Sequence, residues 1–116
     1  MSIQEVTQET FQSLVLDSEL PVMVDFFGPT CAPCKGMMVF LPKVAEKYQG
    51  RLTILKCDVS ANPTLAAEYE IRAVPTLIFF KNEPIQHLQG FKTQSQLEAL
   101  IDLFLAEHLH WDPSLT

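Results

Sequence analysis

The run Pro21-Val22-Met23-Val24-Asp25-Phe26-Phe27, closed by Gly28-Pro29, constrains the fold more than any other stretch of this chain. A strand with water on one face alternates apolar and polar residues. A nearly continuous apolar run is instead the pattern of a strand buried on both faces, and such a strand needs one layer of structure above it and another below. With 116 residues, 47% of them hydrophobic and 19% charged, the chain has enough material for one globular domain over 1–116 with an unstapled core. Asp25 interrupts the run, and a carboxylate there is costly unless it has a partner or a task.

The flanking sequence indicates what the covering layers are. Thr7 reads as the N-cap of a first helix with Phe11, Leu14 and Val15 on one face. Met37, Met38, Leu41, Val44, Ala45 and Tyr48 give helical spacing over 34–48, and Pro42 is expected to kink that helix. Residues 51–59 alternate as a strand, with Leu52, Ile54 and Lys56 on one side and Thr53, Leu55 and Cys57 on the other. Asn62-Pro63 reads as N-cap and first residue of a short helix through Tyr69. Strands at 76–81 and 85–90 are joined by Asn82-Glu83-Pro84, too short a link for anything but an antiparallel hairpin. Thr93-Gln94-Ser95-Gln96 is a capping box for a last helix with Leu97, Leu100, Ile101 and Phe104 on its inner face. A tail over 109–116, with Trp111 and Pro113, shows no period. The fold class is therefore mixed α/β, with a parallel portion joined through helices and an antiparallel hairpin.

Charge and composition exclude several functions. The formal net charge of −6, without a Lys/Arg cluster, argues against nucleic acid and anionic membranes as partners. No apolar run is long enough to span a bilayer. The first ten residues, MSIQEVTQET, lack the basic and apolar regions of a signal peptide. The expected location is the cytoplasm, or an organelle interior if a transit peptide has been removed. Three cysteines, an odd number, do not make a disulfide framework.

Two of those cysteines, Cys31 and Cys34, stand two residues apart in GPTCAPCK, where the buried strand gives way to a helix. Unpaired N–H groups at a helix start favour a thiolate over a thiol, so Cys31 is placed as an exposed nucleophile and Cys34, one turn in, as a shielded thiol. Two other readings stay open on spacing alone. A zinc site needs further ligands, yet Cys57 is alone and His87, His108 and His110 are distant in sequence. The pair is also compatible with inert packing. Asp25 on the feeding strand and Lys56 on its neighbour suggest a buried acid with a nearby ammonium, able to exchange the proton of Cys34. A purely structural ion pair, or a lysine reaching to solvent, accounts for Lys56 equally well.

VDFFGPTCAPCK, Pro42, LKCDVSANP, IRAVPTLIFFK and Gly90 together resemble the thioredoxin family, in order and spacing, over residues 3–108. The resemblance implies the thioredoxin fold, a central mixed β-sheet flanked by helices, and thiol–disulfide exchange on protein disulfides without a cofactor or metal. It implies Cys31 as attacking cysteine, Cys34 as resolving cysteine, Asp25 as buried acid and Lys56 as its neighbour. By the same resemblance Val74-Pro75 is a cis-proline loop facing the cysteines. Thr30, Ala32, Pro33, Val74, Pro75, Gly90 and Phe91 then form the substrate-binding rim. The partners implied are protein disulfides and an upstream reductase, NADPH- or ferredoxin-linked, with the chain acting as a monomer.

Departures from the family pattern raise a second reading. Thr30 and Ala32 stand where the family has Trp and Gly, and Phe27 where it often has a second Trp. Thr30 removes an apolar docking surface and adds a hydroxyl that could cap the helix. Phe91, after Gly90, is expected either to restore part of that rim or to lie in the core beneath the last helix. The alternative function is a binding module with weak or specialised redox turnover. Cys57, opposite Lys56, reads as a small buried hydrophobe, with a regulatory thiol as the other possibility.

Overall fold

The central strand is the one the apolar run predicts. In the computed structural model, which describes residues 3–108, Val22–Phe27 (β2) lies in the middle of a five-stranded sheet. The order across the sheet is β1-β3-β2-β4-β5, with β1 at Gln4–Glu5, β3 at Thr53–Asp58, β4 at Thr76–Phe80 and β5 at Pro84–Gln89. β1, β3 and β2 run parallel, whereas β4 is antiparallel to both β2 and β5. In register, Asp25 is paired with Lys56 on one side and Leu77 on the other.

Alternation along β2 divides the interior into two cores. Val22, Val24 and Phe26 face a cluster with Phe11, Val15, Leu55, Cys57 and Leu65. Met23 faces a second cluster that includes Met37, Leu41, Tyr48, Leu77, Phe79, Leu97 and Phe104. The second core is covered by α1 (Ala32–Met38), α2 (Leu41–Lys47) and α4 (Gln94–His108), and the first by the N-terminal segment and α3 (Pro63–Glu68). Phe79 stacks on Phe104 at 4.6 Å between ring centroids, fixing α4 to the sheet. The Tyr48 hydroxyl donates to Asp102 at 2.6 Å, holding α2 to α4. Two dry layers around one hydrophobic strand follow from the apolar run itself.

Several local expectations are corrected. Thr7 does not cap a helix. It opens a turn in which its N–H donates to Thr10 Oγ1, and the helical segment that follows, Gln12–Leu16, is wound as a π-helix. The stretch over 34–48 is not one kinked helix but two. α1 begins earlier, at Ala32, and the chain breaks at Val39–Phe40 before Pro42 enters the first turn of α2. The physical reason is the one expected: Pro42 has no N–H to donate to Met38, so the helix is interrupted one turn before it. Asn62 is the N-cap of α3 by position, but its side chain makes no cap bond. It donates to Asp58 O and accepts from the Gln8 N–H.

The capping box is present as predicted, with Thr93 N–H donating to Gln96 Oε1 and Gln96 N–H to Thr93 Oγ1. The hairpin is also present; its turn places Asn82 at φ 64° and puts an irregularity between Phe79 and Phe80. β1 has no counterpart in the sequence reading, because two exposed residues carry no periodicity. The expectations for the tail from Leu109 to Thr116 lie outside the described residues.

Candidate active site

The strand-to-helix junction places the cysteine pair. β2 ends at Phe27, Gly28-Pro29 turns the chain, and the Cys31 N–H donates to Gly28 O. Cys31 is the N-cap of α1, and its Sγ accepts from the Cys34 N–H at 3.2 Å. Thr30, expected to be able to cap this helix, is exposed, and the cap is Cys31 itself. Cys31 and Cys34 are joined in a disulfide with 5.2 Å between their Cα atoms. The pair is asymmetric: Cys31 is half-buried, while Cys34 is 3% exposed.

Asp25 lies two residues before the end of β2, on the sheet face that α1 covers. It is fully buried, and neither carboxylate oxygen accepts a hydrogen bond from the protein. Burial pushes its pKa from 3.8 up to about 7, and the Lys56 ammonium opposes part of that rise. Lys56 sits beside Asp25 in the parallel register and on the same face, with its Nζ 5.9 Å from the Phe27 ring centroid. The two are neighbours in register and do not form a contact ion pair. A cleft of about 150 Å³ opens between Phe27, Pro29, Cys34, Lys35, Met38 and Lys56. It connects the buried cysteine to solvent along the lysine.

The Val74–Pro75 peptide bond is cis. A side chain at Gly28 would meet Val74 Cγ2 at 3.4 Å and the Cys31 Cβ at 3.7 Å, so the proline loop packs directly on the cysteine turn. Pro75 O accepts from the Gly90 N–H at 2.8 Å, and Gly90 has φ 93°, a conformation suited to glycine. The structure thus brings Cys31, Cys34, Val74, Pro75 and Gly90 to one end of the sheet, with Asp25 and Lys56 beneath. Phe91 is 46% exposed and is not core beneath α4. Its ring lies against Gly36 of α1 and edge-on to Phe40, at 6.5 Å between centroids. Among the described residues no three His, Cys, Asp or Glu side chains converge as a metal site would require.

The family model for Thioredoxin matches residues 2–103. The chain belongs to the thioredoxin family. Thioredoxin from Porphyra purpurea is 36% identical over 107 residues, 91% of this chain and 100% of that protein. Thioredoxin 1 of Nostoc sp. is 42% identical over 77 residues, 66% of this chain and 72% of its own length. The chloroplastic thioredoxin M-type of spinach is 36% identical over 105 residues, 90% of this chain and 58% of that protein. With a redox-active Cys31–Cys34 pair on a thioredoxin domain, this chain is a thiol–disulfide oxidoreductase that reduces protein disulfides. Nothing in the described residues favours the alternative of a thioredoxin-fold binding module with weak or specialised redox turnover.

Sequence reading missed part of this thioredoxin site. Gly28 and Gly36 have no assigned role in the sequence reading, yet Gly28 faces Val74 and Gly36 faces Phe91, where a Cβ at either would stand in ordinary contact at 3.4 Å. Phe27 reads as the end of the apolar strand and Met38 as part of a helical face, yet both line the cleft, and Phe40, which the sequence does not mark, meets Phe91 edge-on.

Proposed function

We propose that Cys31 is the attacking thiol and Cys34 the resolving thiol of a reductase for protein disulfides, with Asp25 as the proton acceptor. The observation that carries this assignment is the asymmetry of the pair: the helix-capping Cys31 is partly exposed, and Cys34 is buried. Cys31, as thiolate, attacks one sulfur of the substrate disulfide. The other substrate sulfur leaves as a thiolate and takes a proton from solvent. Cys34 loses its proton to Asp25 and attacks Cys31 Sγ, which releases the second substrate thiol and forms the Cys31–Cys34 disulfide. Two electrons pass from the protein to the substrate. An acceptor with a pKa of about 7 suits proton transfer near neutral pH, and Lys56 at the cleft keeps its charged form accessible.

Thr30, Ala32, Pro33, Val74, Pro75, Gly90 and Phe91 form the surface that receives the substrate. Val74 precedes the cis proline, and its backbone pairs with an extended substrate segment beside the disulfide. An upstream NADPH- or ferredoxin-linked reductase returns the disulfide to the dithiol, so the chain is an electron carrier in cell redox homeostasis. It acts as a monomer, without a cofactor other than its own cysteines. Its compartment is the cytoplasm or an organelle interior, the latter in keeping with the chloroplastic spinach relative.

Alkylation of the reduced protein at pH 8, read by mass mapping, tests the assignment. Cys31 should be modified first and Cys34 far more slowly. Cys57, whose thiol burial and the nearby Glu5 and Asp58 push up to about 11, should remain unmodified until the chain unfolds. Equal rates at Cys31 and Cys34 would contradict the division of roles.

A further inference from the structure

Sulfur is unevenly exposed in this chain. Among the described residues Cys31 and Cys34 are joined in the disulfide, Cys57 is buried, and Met23 and Met37 have no exposed surface. Met38 is the exception: it is half-buried and lines the cleft of about 150 Å³ that reaches Cys34. With the disulfide closed, Met38 is the one described residue that brings a reduced sulfur to solvent. A thioether stays nucleophilic at every pH, so accessibility decides which methionine an oxidant reaches.

The same cleft sets the consequence. Phe27 gives it an apolar wall, and Lys35 and Lys56 bring two ammonium groups to it, neither in an ion pair among the described residues. The Lys56 Nζ lies 5.9 Å from the Phe27 ring centroid. A thioether is a weak acceptor and offers these donors little. A sulfoxide oxygen is strongly polar and accepts a hydrogen bond readily. Cys34 lines the cleft, whereas Cys31 does not.

We propose that Met38 is an oxidation site for hydroperoxides, and that its sulfoxide, bound by the Lys56 ammonium, closes the cleft and slows the resolving step at Cys34. The proposal rests on Cys34 being the resolving thiol, and adds how an oxidant reaches that step. The thioether sulfur attacks the terminal peroxide oxygen, an S–O bond forms and the O–O bond breaks. The hydroxyl proton passes to the leaving oxygen, so the hydroperoxide departs as an alcohol, or as water when it is hydrogen peroxide. Sulfur gives up two electrons and the peroxide takes them. Cys31, outside the cleft, still attacks substrate, while the proton of Cys34 loses its way out along the lysine.

Hydrogen peroxide applied to the disulfide form of the full chain supplies the test. Fragment mass mapping is followed by dithiothreitol-driven reduction of a protein disulfide, and each sample is compared with its own untreated control. Met38 should gain an oxygen at least about 10-fold faster than Met23 or Met37. The kcat should then fall by about 5- to 10-fold, short of the loss of a whole acid–base group. Mixed-disulfide formation at Cys31 should keep its rate, and resolution by Cys34 should carry the loss. Turnover should return as methionine sulfoxide reductase restores the thioether. Met38→Leu, a swap of similar volume, should lose no turnover on the same treatment. Oxidation spread evenly over the three methionines, or an oxidised Met38 with undiminished turnover, would overturn the proposal. So would a loss of equal size in Met38→Leu, a loss confined to the Cys31 step, or one that persists once mapping shows the thioether restored. An untreated wild type without turnover would instead overturn the reductase assignment on which this one stands.

Discussion

Asp25 has no exposed surface, and no protein group donates to either of its carboxylate oxygens. Its burial raises the pKa from 3.8 to about 7. The folded chain therefore holds a proton on Asp25 between those values while the unfolded chain has released it. Stability from this group is fully present below about pH 4, declines as pH rises toward 7, and stays at the lower level above it. At about 1.4 kcal/mol per pH unit, the interval corresponds to an effect on the order of 2–4 kcal/mol. Asp25→Asn removes the titration, so its stability gain over wild type should be a few kcal/mol larger at pH 8 than at pH 4. Denaturant unfolding of the oxidised proteins at both pH values measures this, and a difference independent of pH would show that Asp25 ionises as readily as an exposed acid. The cost was legible in the sequence, because a carboxylate inside PVMVDFF has no apolar substitute role. Thr30 was less legible: its hydroxyl suggested a cap, but the preceding turn gives that position to Cys31. The contact of Gly36 with Phe91 was not legible either, since 55 residues separate the two in sequence and only the fold brings them together.

The secondary elements were legible wherever a periodic pattern and a terminal signal agreed. α4 and its capping box are the clearest case, and β2 to β5 follow their apolar runs closely. A residue's further use is harder to read than the element it marks. Asn62 is the N-cap of α3 as the sequence indicates, but at φ −131° and ψ 61° its amide makes no cap bond and links the N-terminal segment to the end of β3. This contrast is measurable. Thr93→Ala removes an exposed cap and should cost about 1 kcal/mol, or roughly 4–8 °C in Tm. Asn62→Ala leaves the Gln8 N–H and Asp58 O without their buried partner and should cost more, about 1–3 kcal/mol. If thermal melts put Asn62→Ala at or below the Thr93→Ala loss, the bonds of Asn62 to Gln8 and Asp58 contribute less than an exposed cap. The break between α1 and α2 also belongs to this scale. Pro42 signalled it, but the interruption falls at Val39–Phe40, where the missing donor is felt.

At the scale of the whole molecule, the sheet serves the chemistry by holding three separate chain segments at one end. The end of β2 supplies the cysteine turn, the start of β4 the cis-proline loop, and the end of β5 the Gly90–Phe91 turn. Cores on both faces of β2 exclude water from Asp25, and the parallel neighbour β3 sets Lys56 beside it. The layer arrangement was readable from one apolar strand. The convergence of the three loops was not, because spacing along a chain does not state which ends meet; the thioredoxin resemblance supplied that expectation. The most direct measurement is dithiothreitol-dependent reduction of a protein disulfide by wild type, Cys31→Ser and Cys34→Ser. Turnover by wild type, none by Cys31→Ser, and a stable mixed disulfide through Cys31 in the Cys34→Ser protein are the predicted results. Absence of turnover in wild type, or a substrate trapped on Cys34 in the Cys31→Ser protein in place of the Cys31 adduct, would contradict the account.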